Sequence, residues 1–394
     1  MKSTIQQLAK EIKQQVIDYR QYLHQHPELS FQEHHTVKYV ADQLTAMGIT
    51  RQETKAETGL VALIEGKNPT KKVIALRADL DALPIVEEND QPYKSQNDGV
   101  MHACGHDAHT ASLLGAAYIL NQVKDQFEGT VKLVFQPGEE QLPGGASLMI
   151  KDGALENPKP EAIIGQHVMP FIPVGKVGFR PGMYMASCDE IYITVRGKGG
   201  HAALPENNID PIVIAANMIV SLQQIVSRFA PPKIPCVLSF GDIRAFGATN
   251  IIPDEVKIKG TFRTMNEPWR AEAHERIVKM AKGIVEGMGG TVDFDIRKGY
   301  PYLENDEALT LRNRAVAEEY LGEENVVDLD IWLGAEDFSY YTQEMKACFY
   351  RLGTRNEAKG ITSAVHTPTF DIDHDALEIG SGLMAFMAFK ELQG

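Results

Sequence analysis

Four side chains able to bind a metal ion fall within eight residues: His102, Cys104, His106 and His109 of Met101-His-Ala-Cys-Gly-His-Asp-Ala-His109. Thiolate and imidazole suit zinc and related divalent transition metals. The plainer reading is a polar loop capping a helix through Asp107. Glu139-Glu140 follows an apolar run and a Pro-Gly turn. Adjacent side chains on extended backbone point to opposite sides. One carboxylate could therefore bind metal while the other faces substrate as a general base; an exposed acidic loop is the alternative. His167 ends the next apolar run, and His366 lies in a loop before the last helical segment. Together these residues offer nitrogen, sulfur and oxygen donors in the number a dinuclear site needs.

Other residues have weaker claims. Asp79 and Asp81 end the strand before this region and read either as carboxylates that orient a ligand histidine from behind or as turn and cap residues. His24-Gln-His26 looks ligand-like, but it joins two helical segments, and Pro27-Glu28 reads as a helix start. A structural role is expected there. Gly197-Lys-Gly-Gly-His201 is a tight glycine turn presenting His201, without the Lys-Ser/Thr ending of a phosphate loop or the spacing of a dinucleotide fingerprint. Asn250 and Arg263 are candidate binders of an anionic substrate group, since the planar guanidinium can bond both carboxylate oxygens. A turn asparagine and a surface arginine are the plain alternatives.

The elements that must position these residues follow from periodicity. Helices are expected over 5–25 and 31–47, the second from Val37, Val40, Leu44 and Met47. Buried strands are expected at 60–64, 73–76, 131–135 and 162–168, with helices from Asp107 to Leu120 and over 145–151. Strands alternating with helices, with polar residues at strand ends, indicate a layered α/β domain whose site lies outside the strands' carboxyl ends. From about residue 185 the order becomes strand (190–195), helix (211–228), two strands (235–243, 254–264), helix (268–287), strand (291–296). That is the order of a ferredoxin-like α+β unit. After residue 300 a helix (307–320), a strand (347–352) and a helix (374–391) return to the first texture. The expected organisation is an α/β domain of residues 1–185 and 300–394, interrupted by an α+β domain of residues 186–299.

The chain has 394 residues, 43% of them hydrophobic and 23% charged, enough for two cores. A net charge of −14 offers no electrostatic footprint for nucleic acid or an anionic membrane. The first residues lack the apolar core of a secretion signal, and no apolar stretch of about 18 residues reads as a membrane span. Four scattered cysteines do not form a disulfide framework. The expected home is the cytoplasm.

Five segments then read together: Arg77-Ala-Asp79-Leu-Asp81-Ala-Leu-Pro, Met-His-Ala-Cys104-Gly-His106-Asp, Gln-Pro-Gly-Glu139-Glu140, Gly-Lys-Gly-Gly-His201-Ala-Ala and Gly334-Ala-Glu336-Asp337-Phe338. In this order the chain, from about Arg20 to the last helix, resembles the dinuclear metallo-amidohydrolases. That group holds aminoacylase, hippurate hydrolase, auxin-conjugate hydrolase, N-acetyldiaminopimelate deacetylase and N-acetylcysteine deacetylase. The resemblance implies Cys104, His106, Glu140, His167 and His366 as ligands of two divalent metal ions, zinc or manganese first, nickel or cobalt next. It implies Glu139 as general base for a hydroxide bridging the metals. His201, on the inserted lid and dimerisation domain, would stabilise the oxyanion, often from the neighbouring subunit of a homodimer. Asn250 and Arg263 would hold the substrate carboxylate. The implied reaction is hydrolysis of an N-acyl, foremost N-acetyl, amino acid. A dipeptidase or carboxypeptidase on the same scaffold is the first rival, and a non-catalytic metal-binding protein the second. One departure stands out: Gly138 occupies a position where many members carry alanine.

Overall fold

The computed structural model describes residues 1–393. Two compact units result. One comprises Met1–Gly182, Glu304–Asp330 and the chain from Asp337 onward; the other comprises Met183–Leu303 with Ile331–Glu336. The sequence reading gave all of 300–394 to the first domain. Ile331–Glu336 goes with the second unit because the carbonyls of Trp332 and Gly334 both accept the Ala186 N–H, and Tyr184 O accepts the Trp332 N–H. Such a short hydrogen-bonded return carries no periodicity.

The first unit is built on an eight-stranded mixed sheet. At its centre Thr130–Gln136, Val73–Asp79, Ala162–Pro173 and Lys346–Arg355 run parallel. Gly59–Glu65 and Gln52–Lys55 extend one side antiparallel. These central strands read as continuous apolar runs because they are buried on both faces. Helices Lys2–Gln25, His106–Gln122 and Asp375–Gln393 pack on one another, and their buried residues join one cluster with Ile74, Leu76, Leu133, Ile164, Tyr350 and Leu352 of the sheet. Arg77, Asp79 and Lys132 are charged residues inside this buried layer, so each needs a partner. Asp79 and Gln136 sit opposite each other at the carboxyl ends of neighbouring parallel strands.

In the second unit the sheet order is Cys236–Arg244, Glu255–Thr264, Asp189–Arg196, Thr291–Lys298, all antiparallel. Helices Pro211–Leu222 and Glu267–Gly287 cover it. Numbered along the chain this is order 2-3-1-4, which with its β-α-β-β-α-β sequence makes the unit ferredoxin-like. One expectation needs correction. Among the described residues, the helical stretch Pro211–Phe229 is long and apolar enough, by length and composition alone, to cross a membrane. Asn217, Ser221, Gln223 and Gln224 interrupt the apolar run and hid it. Ile214, Ala215, Met218, Leu222 and Ile225 of this stretch are buried in the unit's own core.

Candidate metal centre

Cys104 and His106 are placed by a tight turn into helix His106–Gln122. Gly105 caps that helix at φ +85°, and a Cβ there would fall 2.6 Å from Val168 Cγ2. Only glycine meets both demands without strain. His167 enters from strand Ala162–Pro173. His366 enters from a loop, itself at φ +61°, a conformation uncommon for a side-chain-bearing residue. Its N–H donates to Ala103 O at 2.7 Å, which ties this strained residue to the Cys104 loop.

The donors converge. Cys104 Sγ lies 3.5 Å from His167 Nε2 and 3.3 Å from His366 Nε2, and Glu140 Oε1 lies 3.0 Å from His366 Nε2. Ligand atoms of Cys104, His106 and His167, of Cys104, Glu140 and His366, and of His106, Glu139 and Glu140 group within 4.8 Å. Cys104 is shared by the first two groups. All five sequence-chosen donors are thus brought together, with Glu139 beside them.

Histidine hydrogen bonding sorts ligand from bystander. His106 Nδ1 faces Asp81 Oδ1 at 3.2 Å, which leaves Nε2 buried and without a hydrogen-bond partner. His167 Nδ1 donates to Val168 O at 2.7 Å, which turns Nε2 toward Cys104 Sγ. This is how metal-ligating histidines are held, with the far nitrogen fixing the ring. His109 differs: Nδ1 meets Asp79 Oδ1 at 2.6 Å, and Nε2 accepts the Val168 N–H at 2.9 Å. Both nitrogens are spent, so His109 is support despite its place in the motif. His24 is also support. It is buried, with Nδ1 2.7 Å from Asp107 and Nε2 3.2 Å from Glu87.

Electrostatics fit a cation. Burial, then Arg351, holds His167 well below its usual value, so it is neutral and able to donate a lone pair. Burial, then Glu140, pushes the Cys104 thiol up. Hydrogen bonds to Cys104 and Glu140 raise His366 to about 10. Without a metal the site therefore retains protons, and a bound cation would displace them. Sulfur, imidazole and carboxylate donors gathered this closely suit divalent transition metals.

Asp81, expected from the sequence to orient a ligand histidine or to serve as a turn residue, also holds the Glu139-Glu140 turn, in a network with Arg77 and Asp337. Asp81 accepts the N–H groups of Glu139 and Glu140 at 3.0 and 2.9 Å and the Ser30 hydroxyl at 2.7 Å. Arg77 bonds Asp79, Gln136 and Asp337 at 2.7, 2.9 and 2.9 Å. Asp337 also accepts from Gln136 and the Ala146 N–H, and its own N–H donates to Glu139 Oε1 at 3.3 Å. The signal was a charged residue, Arg77, inside an apolar strand.

The remaining candidates belong to the second unit. His201 is exposed on a two-residue strand paired with Ile251–Ile252. Its Nδ1 accepts the Ala203 N–H at 3.1 Å, which places the proton on Nε2 as a donor. Asn250 is exposed, and its carbonyl accepts the Ala202 N–H beside His201. Arg263 is half-buried, with Nη1 donating to Leu333 O at 2.9 Å.

The sequence pattern of peptidase family M20/M25/M40 matches residues 75–390. The chain is 42% identical over 307 residues to an N-acyl-L-amino acid amidohydrolase of Geobacillus stearothermophilus, covering 78% of this chain and 82% of that one. It is 38% identical to thermostable carboxypeptidase 2 of Saccharolobus solfataricus, covering 97% and 96%. The crystal structure of Bacillus subtilis YXEP, described as a dinuclear metal-binding peptidase of the M20 family, matches with TM-score 0.84 and 35% identity over 98% and 99% of the chains.

Proposed function

The chain belongs to peptidase family M20/M25/M40, and from that premise we propose that it hydrolyses the amide bond of N-acyl, foremost N-acetyl, amino acids, using two divalent metal ions. The observation that carries this reading is a five-donor cluster with a sixth group, Glu139, beside it. Thiolate and imidazole favour zinc, while the carboxylate donors also admit manganese.

Cys104, His106, Glu140, His167 and His366 would hold the ions. When bound, the ions supply Lewis acidity that brings the pKa of water toward neutrality and polarises the amide carbonyl. Glu139 takes the proton of the attacking water and returns it to the leaving nitrogen. The Asp337 N–H on Glu139 Oε1 fixes the carboxylate's direction. Asp81 keeps the His106 ring turned so that Nε2 is presented. His201, with its proton on Nε2, would stabilise the developing oxyanion. Asn250 and Arg263 would take the substrate carboxylate. Four free cysteines accord with a reducing cytoplasm.

A second reading, carboxypeptidase or dipeptidase, is favoured by the identity to a protein named carboxypeptidase over nearly the full chain. A panel of N-acetyl amino acids, longer N-acyl amino acids and dipeptides separates the two. The proposal expects the highest kcat/KM on N-acetyl amino acids. A clear preference for dipeptides replaces it with the second reading. Glu139→Gln is expected to stay folded and metal-loaded while kcat falls at least about 100-fold. Near-normal turnover in that variant removes Glu139 as the base.

A further inference from the structure

Helix His34–Ala46 begins at Glu33. A carboxylate at that position ordinarily accepts from the amides two or three residues on. Here those amides are already taken. The N–H groups of His35 and Thr36 and the Thr36 hydroxyl donate to Glu28, at 3.1, 2.8 and 2.8 Å. Glu33 is thereby free to turn inward. Its side chain is fully buried, and it accepts the Gly138 N–H at 2.8 Å and the Thr58 hydroxyl at 2.7 Å.

Gly138 immediately precedes Glu139. Its φ is +55°, and a Cβ there would fall 2.2 Å from Phe31 Cε1, so this segment packs against the turn by shape as well. The next two amides, of Glu139 and Glu140, go to Asp81. Three successive N–H groups of one turn are thus each fixed by a buried carboxyl group. Gathering so many carboxyls around one turn is costly.

We propose that Glu33 is a positioning residue for the reaction: by holding the Gly138 amide it sets the direction in which Glu139 leaves the turn. The inference rests on the role assigned to Glu139 above. It gives a task to Glu33 and to the Glu28–Glu33 segment, which sequence reasoning left as a helix start. Burial, with Asp81 adding, pushes the Glu33 carboxyl up to about 7. Either protonation state keeps both contacts, because the Thr58 hydroxyl can donate or accept. A glutamine can do the same through its amide oxygen and nitrogen.

The test compares Glu33→Gln, Glu33→Ala and Glu33→Met on N-acetyl amino acid substrates. Methionine keeps the volume without an acceptor and serves should the alanine variant fail to fold. The expected result is a kcat loss of about tenfold or more in the variants lacking an acceptor, with KM and metal content within about twofold, and recovery to within about threefold of wild type in Glu33→Gln. In metal-free protein the Gly138 amide should exchange hydrogen about tenfold faster in Glu33→Met, and at the wild-type rate in Glu33→Gln. Unchanged kcat or Gly138 exchange in Glu33→Met overturns the inference, as do equal kcat losses in the Gln and Met variants. Glu139→Gln is run alongside. If it is inactive while Glu33→Met is not, only this inference falls; if it is active, both fall.

Discussion

Glu33, Asp81, Glu139 and Glu140 crowd one turn, and only part of this was legible in the sequence. Glu139-Glu140 drew attention by following an apolar strand, although an exposed acidic loop was the alternative. Glu33 did not, because a glutamate at a helix start has an ordinary use, and nothing local says that Glu28 already fills it. Burying an acid has a measurable consequence. Between pH 4.5 and about 7 the folded protein holds a proton on Glu33 that the unfolded chain releases. Stability from this group is therefore full below about 4.5 and falls as pH rises to 7, by about 3 kcal/mol in all. Glu33→Gln should be more stable than wild type to urea at pH 8, with the gap closing toward pH 4.5. A gap that does not change with pH would contradict the buried, raised carboxyl.

Helices and strands were read well where they are long and periodic, and the core strands and helix starts fall within a few residues of expectation. Gln52–Lys55, Val177–Phe179, Val326–Asp328 and Ser339–Glu344 were missed. Each is too short to show a period. What fastens the elements together was also hidden, because it is a matter of distant charges. Arg20, fully buried on the first helix, donates through Nε to Asp107 at 2.8 Å and reaches Asp371 at 2.9 Å. One guanidinium therefore joins the first helix, the helix that starts at His106 and the loop after His366. Tyr93 adds a hydrogen bond to Asp371 at 2.8 Å. Arg20→Met should destabilise the metal-free protein by about 3–5 kcal/mol, since two buried carboxylates lose their counter-charge. Urea denaturation measures it; a loss under about 1 kcal/mol would mean that the network relaxes or admits water. Asp107 and Asp371 both sit below the usual carboxylate range: burial opposes this, and Arg20 together with His24 and hydrogen bonds outweighs it. Their contribution is present above about pH 4 and is lost as the pH falls.

At the scale of the molecule, the chain divides into two compact units. The order of elements from residue 189 to 298 was enough to name a ferredoxin-like unit, because βαββαβ leaves few alternatives. The return of Ile331–Glu336 to that unit was not readable, since backbone hydrogen bonds to a distant segment leave no mark on composition. The second unit exposes large apolar residues: Val220 at 73% on helix Pro211–Leu222 and Phe246 at 85% just past the edge strand Cys236–Arg244. Apolar exposure beside an unpaired strand edge supports the proposal of a homodimer through this unit. Sedimentation velocity should then show a dimer for wild type and a monomer for Val220→Glu. A wild-type monomer would contradict it, and with it the expectation that His201 acts across subunits.

The central claim is that Cys104, His106, Glu140, His167 and His366 hold two catalytic metal ions. Titrating zinc or manganese into chelator-treated protein, while following hydrolysis of an N-acetyl amino acid, tests it most directly. The account predicts negligible turnover without metal and a rise that levels off at two equivalents per chain. Full turnover in metal-free protein, or none at two bound equivalents, would contradict it.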